Sequence, residues 1–318
     1  MASGAAQVSL ASDVNARQRP QGQHSGFAWA GPVRVPLADA RWHFQHGPID
    51  LVLGAEGDPD TVAQAHEHCW QAFQPVLGVL AAERALLQQD LRLGPKPRGP
   101  VAGRMVRACK PYADDDIFIT AMAAVAGSVA DELIACYRIP GVTRAFINNG
   151  GDIALHLSPG HSYRVGVVGR DDAPSVDADL QVFDHDAIRG IATSGWRGRS
   201  FSLGIADSVT VLAHDAAAAD AAATLIANEV NIAHPAIVRR PACELRDDCD
   251  LGERLVTVQV GPLPSDLVSA ALDRGLACAR RFQTQGRIAV AALSLAGQWR
   301  VAQPVAVQSL SCRWGHAA

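Results

Sequence analysis

Alternation of apolar and polar positions predicts strands over residues 33–37 and 42–53. Pro36 confines the first to a sheet edge, and Gly47-Pro48 places a turn inside the second. Residues 59–84 carry helical spacing. The run from Ile119 to Cys136 is rich in small residues that allow close helix packing, which predicts a buried helix over 121–137 with Thr120 as its cap. Two apolar runs then flank Gly150-Gly151 in the strand, turn, strand order of a hairpin. Strands follow over 163–169, 180–183, 190–192 and 209–213, then a second Ala-rich helix over 216–230. A third helix over 265–281 and strands over 255–260 and 287–295 complete the pattern. Consecutive strands outnumber the crossovers that a doubly wound sheet requires, so the expected class is α+β, with mixed or antiparallel sheets packed with helices.

The segment from Arg92 to Pro100 is dense in Pro, Gly and cations and reads as a crossing loop. Residues 1–27 are polar and aperiodic, as in a flexible arm, leaving 28–318 as one domain that could comprise two structural halves.

Composition narrows the function classes. The chain has 318 residues, 48% hydrophobic and 19% charged, which is enough apolar material for a substantial core. A net charge of -4 supplies no cationic field for a phosphate backbone, so nucleic acid is not an expected partner. The first 22 residues lack a signal-type apolar run and no stretch of about 18 apolar residues follows, so the expectation is a cytoplasmic protein with no membrane partner. The 7 cysteines are odd in number and lack Cys-x-x-Cys spacing, which favours reduced thiols over a disulfide framework or a thiolate zinc site. An exposed sheet edge could support a homodimer, but no residue pattern demands one.

Three segments carry candidate chemistry. Gly150 and Gly151 can adopt positive φ and present backbone N–H groups without a Cβ, with Asn148, Asn149 and Asp152 beside them. The bland reading of the same residues is a hairpin turn. Thr193, Ser194 and Gly195 put two hydroxyls and a glycine at a strand end, followed by Trp196, Arg197 and Arg199 as a stacking surface and anion partners, or as a plain solvated loop. Asp220 and Thr224, four residues apart on a helix, share one face and offer the oxygen ligands that Mg2+ needs, or form a surface pair. The clusters His66-Glu67-His68, Asp114-Asp115-Asp116, and Asp247, Asp248 and Asp250 read more simply as solvated faces.

In the same order, the run from Ala123 to Asp131, Asn149-Gly-Gly-Asp152, Ala192-Thr-Ser-Gly195, Ser208-Val-Thr-Val211 and Ala219-Asp-Ala-Ala-Ala-Thr224 resembles the ApbE-type FAD:protein FMN transferases. The match covers residues 120–231 and is similar to a divergent branch of that superfamily. The resemblance implies FAD held by Asn148, Asn149, Gly150, Gly151, Asp152, Thr193, Ser194 and Gly195. It further implies magnesium held by Asp220, Thr224 and the backbone carbonyl of Ala123. As an activity it implies FMN transfer from FAD to a Thr or Ser hydroxyl of an acceptor protein, with AMP departing. Two departures stand out: Ala126 occupies the place of the family's lysine, and the His-x-x-Asp-Pro-x-Thr-Gly segment is missing between Gly195 and Ser208. Alternative readings are a non-transferase member binding a flavin, another nucleotide or a small metabolite, and a noncatalytic assembly protein.

Overall fold

The computed structural model describes residues 6–9, 30–168, 176–303 and 313–314. The expected arm over 1–27 lies outside the described residues apart from strand β1 (Ala6–Ser9). The strands that follow are β2 (Val33–Pro36), β3 (Trp42–His46), β4 (Ile49–Gly57), β5 (Val142–Asn149), β6 (Asp152–Leu157), β7 (Ser162–Val168) and β8 (Val176–Phe183). After these come β9 (Gly190–Ser194), β10 (Ser208–Ala213), β11 (Ile237–Pro241), β12 (Leu255–Val260), β13 (Val290–Leu295), β14 (Gln298–Ala302) and β15 (Arg313–Trp314). The helices are α1 (Pro59–Phe73), α2 (Val76–Leu87), α3 (Pro100–Asp114), α4 (Val125–Ile134), α5 (Ala216–Glu229), α6 (Ala242–Leu245) and α7 (Ser265–Thr284).

One 9-stranded sheet, in the order β14-β13-β10-β9-β6-β5-β4-β3-β2, organises the molecule, and each of its pairings is antiparallel. A second sheet, β1-β7-β8-β15, lies against part of it. Strand alternation divides the central side chains between the two faces. Ala154, Ala192, Val209 and Val211 join the core formed with the helices. Ile153, Leu155, Ile191 and Leu212 pack instead with Tyr163, Val165 and Val182 of the second sheet. All six residues of β10 are consequently buried. The class is α+β, an antiparallel main sheet and a second sheet with one parallel pair, β1–β7, packed with helices, as the strand-rich pattern predicts.

Three local departures have physical causes. The helix expected over 59–84 is two helices, because Pro75 lacks the N–H that would continue α1 and instead stands before α2. Helix α3 is not among the expected elements; Pro100 at its first position fits a helix start, and the proline-rich approach hides the amphipathic run behind it. The helix expected over 121–137 is α4 flanked by 3-10 turns at Ala121–Ala124 and Ala135–Tyr137. Thr120 does not cap it, since its hydroxyl donates to Asp250. Among the described residues no helix is long and apolar enough to cross a membrane.

Candidate functional site

The β5–β6 hairpin closes on Asn149↔Asp152, and Gly150 and Gly151 take φ values of 64° and 109° that an L side chain adopts only with strain. Asn148 Oδ1 accepts from the Gly151 N–H at 2.8 Å, fixing the turn. Asn149 Nδ2 reaches across to the Ala126 carbonyl at 3.1 Å and ties the turn to the start of α4. The guanidinium of Arg199 lies over Gly150, so close that a Cβ built there would fall 1.8 Å from its Nη2.

Beside the turn, the sheet opens. β6 pairs with β9 only at Ile153↔Ile191 and Ala154↔Gly190. Two residues beyond Ile191, the Thr193 N–H donates to a side chain, Asp152 Oδ1, at 3.3 Å. Thr193 Oγ1 in turn shares a hydrogen bond of 2.9 Å with Thr210 Oγ1 on β10.

The third segment enters through helix packing. Gly127 brings α4 against the first turn of α5 so closely that a Cβ would meet the Ala216 carbonyl oxygen at 2.3 Å. That approach lets the Gly127 N–H donate to Asp220 Oδ2 at 3.0 Å. Asp220 is partly exposed yet closely surrounded by protein. Burial raises its carboxyl above the usual range, against the pull of the Gly127 and Ala126 N–H groups, and the charge of Asp131 raises it further. Asp152 is raised well above the usual range by burial first and by the Asp220 charge second, with the Thr193 N–H and Arg199 acting in the opposite sense. Two carboxyls from different segments therefore share one electrostatic environment, with the Arg199 guanidinium acting on Asp152.

The structure thus brings Asn149, Asp152, Thr193 and Asp220 together through the start of α4 and the end of β9. Thr224 stands one turn after Asp220 on the same face of α5 and is partly exposed. Ala123 lies in the 3-10 turn before α4, partly exposed, its N–H bonded to the Thr120 carbonyl. Ser194 ends β9 opposite Val209. Gly195 packs against the backbone of Ala206 and Asp207, where a Cβ would meet the Asp207 carbonyl oxygen at 2.4 Å.

Arg197 and Arg199, indistinguishable as two loop cations in the sequence, separate in space. Arg197 stacks 4.5 Å from the Trp196 ring centroid and pairs with Asp207 at 2.9 Å, while Arg199 covers the glycine turn. Asp207 also accepts from Trp196 Nε1 at 3.2 Å and, through its other oxygen, from the Ala296 N–H at 2.7 Å.

A second acidic pair sits at the start of α5. Asp131 accepts from the Ala216 and Ala217 N–H groups at 3.1 and 2.8 Å, and Asp215 caps Ala218 at 2.8 Å. Asp131 is buried, and that burial, with the Asp215 charge, pushes its carboxyl up to about 6 against those backbone donors. The sequence signal for this role is an acid inside an apolar stretch, with Val129, Ala130 and Leu133 around it.

The remaining polar clusters disperse. Asp114, Asp115 and Asp116 pair separately with Lys110, Arg287 and Arg92. His66 bonds Tyr137, Glu67 pairs with Arg34, and Asp248 pairs with Arg84. Two cavities, of about 310 and 380 Å3, are lined by other residues than Asp152 and Asp220.

These features define a class: an antiparallel α+β protein in which a glycine turn, a strand end and two helix starts converge on a carboxylate pair. The chain belongs to the family described as AbpE bacteria, whose model matches residues 34–301, and is a divergent ApbE-like protein. It is 31% identical over 209 residues to a UPF0280 protein of Methanosarcina acetivorans, covering 65% of this chain and 78% of that one. A UPF0280 protein of Methanopyrus kandleri is 37% identical over 162 residues, 50% of this chain and 62% of its own, so the shared segment falls short of that relative's full length. Among solved structures, the apo flavinyl transferase ApbE of Pseudomonas stutzeri is similar over 89% of this chain and 97% of its own, at 16% identity and a TM-score of 0.36. The ApbE protein of Thermotoga maritima covers 87% and 97%, at 13% identity and a TM-score of 0.41.

Proposed function

We propose that this cluster binds FAD with the help of Mg2+. The observation that carries the reading is the carboxylate pair: Asp152 and Asp220 are both raised by burial, and Arg199 is the cation acting on Asp152. A divalent cation relieves such a pair in place of the protons that the raised carboxyls otherwise hold. Asp220 Oδ2 accepts from the Gly127 N–H, and the Asp220 carboxylate, Thr224 Oγ1 and the Ala123 carbonyl are the oxygens that would meet the cation. Among the described residues no group of three or more His, Cys, Asp or Glu side chains is placed to hold a metal. The donor set therefore fits a hard cation that completes its shell with waters and phosphate oxygens.

Bound Mg2+ would supply charge neutralisation at the pyrophosphate. The rest falls to the chain. Asn148, Asn149, Gly150, Gly151 and Asp152 shape the ligand wall, the glycines letting it approach the backbone. Thr193, Ser194 and Gly195 form the facing edge, and Arg199 is placed to pair with a phosphate in exchange for its cover over Gly150.

Isothermal titration of FAD with and without Mg2+ tests this: Mg2+-dependent binding is expected, and a folded protein that ignores saturating FAD and Mg2+ would sink it. One observation favours retention of the ligand without transfer to an acceptor protein. Asp207, the acid in the short connection before β10, has both oxygens committed to Trp196, Arg197 and Ala296 and is not free to act as a base. AMP release on mixing FAD, Mg2+ and a Thr- or Ser-bearing acceptor distinguishes the two, and its absence alongside tight FAD binding supports the binding reading.

A further inference from the structure

Away from that cluster, a chain of polar groups runs from the protein interior to a cavity. His66 on α1 is buried, and its Nδ1 lies 2.7 Å from the Tyr137 hydroxyl. The Cys69 thiol lies beside the Tyr137 hydroxyl and the Cys136 thiol, where α1 packs on the 3-10 turn Ala135–Tyr137. Cys69 is fully buried, whereas Cys136, at 9% exposure, lines the cavity of about 310 Å3. Both thiols are free. The cavity wall is largely apolar, with Pro75, Val76, Val79 and Val101 opposite the polar edge of His68 and Glu132.

We propose that Cys136 is a modification site for small apolar hydroperoxides entering this cavity, with Cys69 as its resolving thiol. Geometry assigns the two roles. Of the pair, Cys136 lines the cavity and Cys69 does not; the neighbouring Cys69 thiol favours the Cys136 thiolate over the thiol, while burial and the same contact hold Cys69 protonated. In the first step the Cys136 thiolate attacks the terminal oxygen of ROOH; the S–O bond forms, the O–O bond breaks, and the alkoxide takes the proton that Cys136 gave up, leaving as ROH. In the second, Cys69 sulfur attacks the sulfenic sulfur, the S–S bond forms, and hydroxide departs with the Cys69 proton as water. The net change is two thiols oxidised by two electrons and one hydroperoxide reduced to alcohol and water. The apolar wall favours an organic hydroperoxide over hydrogen peroxide.

Cys243 supplies an internal reference, because it is exposed and would react first if access alone decided. The folded full chain is treated with limiting cumene hydroperoxide or hydrogen peroxide, alkylated and mapped by mass spectrometry. The expected result is a Cys69–Cys136 disulfide formed roughly tenfold faster than Cys243 oxidation, and faster with cumene hydroperoxide than with hydrogen peroxide at equal concentration. In Cys69→Ser the reaction stops at a Cys136 sulfenic acid captured by dimedone. Oxidation of Cys243 with Cys136 left as a free thiol would overturn the proposal, as would Cys136 oxidation without linkage to Cys69. The wild-type map decides even if the variant fails to fold.

Discussion

Two acidic pairs flank helix α5, and they are built differently. At its start, Asp131 and Asp215 direct their oxygens at the N–H groups of Ala216, Ala217 and Ala218, the donors that a helix leaves unmet. One turn along, Asp220 takes the N–H of Gly127, and Asp152 takes a longer bond of 3.3 Å from Thr193, while each remains within the field of a neighbouring carboxylate. The first pair completes a helix. The second crowds two carboxyls at a place where three separate chain segments meet, which is why we propose it, and not the cap, as the binding site.

The difference can be broken at either end. Asp220→Ala should give the largest effect, lowering Mg2+ affinity by at least ~100-fold, since even residues that only support metal ligands cost 10–100-fold; calorimetric titration with Mg2+ and FAD reads it. An unchanged Mg2+ response would remove Asp220 from the ligand set. Gly127→Val should destabilise the fold by about 3 kcal/mol, because the new side chain meets the Ala216 carbonyl that defines the α4–α5 approach. Urea unfolding measures that loss, and surviving protein should bind Mg2+ more weakly. Asp131→Ala should cost about 1–2 kcal/mol by stripping two N–H groups of their acceptor, while leaving the Mg2+ response intact. If it abolished that response, the two pairs would be one unit. The smallest effect is one of pH. Asp131 holds its proton up to about 6 in the folded chain, above the unfolded value, so folding gains stability as pH falls. Between pH 7 and pH 5 the gain is about 1 kcal/mol. Urea midpoints of the wild type and Asp131→Asn, compared at both pH values, should show the wild type losing more of this contribution as pH rises.

Much of the architecture is legible in the sequence because strand alternation and glycine turns are local signals. The β5–β6 hairpin, β10 and α5 follow from periods of two and of 3.6 that no distant contact overrides. Helix α3 is not legible, because the proline and glycine before it resemble a loop until Pro100 is recognised as a first helical residue. In the site, the turn, the strand end and Asp220 stand out by residue type, but their meeting does not. It depends on Gly127 admitting α5, a contact between positions 93 residues apart. The division of labour between Arg197 and Arg199 depends on which of two nearby loop positions faces Asp207, and no spacing rule encodes that.

The short β6–β9 ladder has a further consequence. Where the strands part, the amide of Thr193 hangs on a side chain instead of on the sheet, so its protection from solvent exchange is set by the charge and position of one carboxylate. That amide is a native gauge: a cation or phosphate that draws Asp152 aside should speed its exchange while the neighbouring Ile191 and Val211 amides stay silent, giving an occupancy signal without a label.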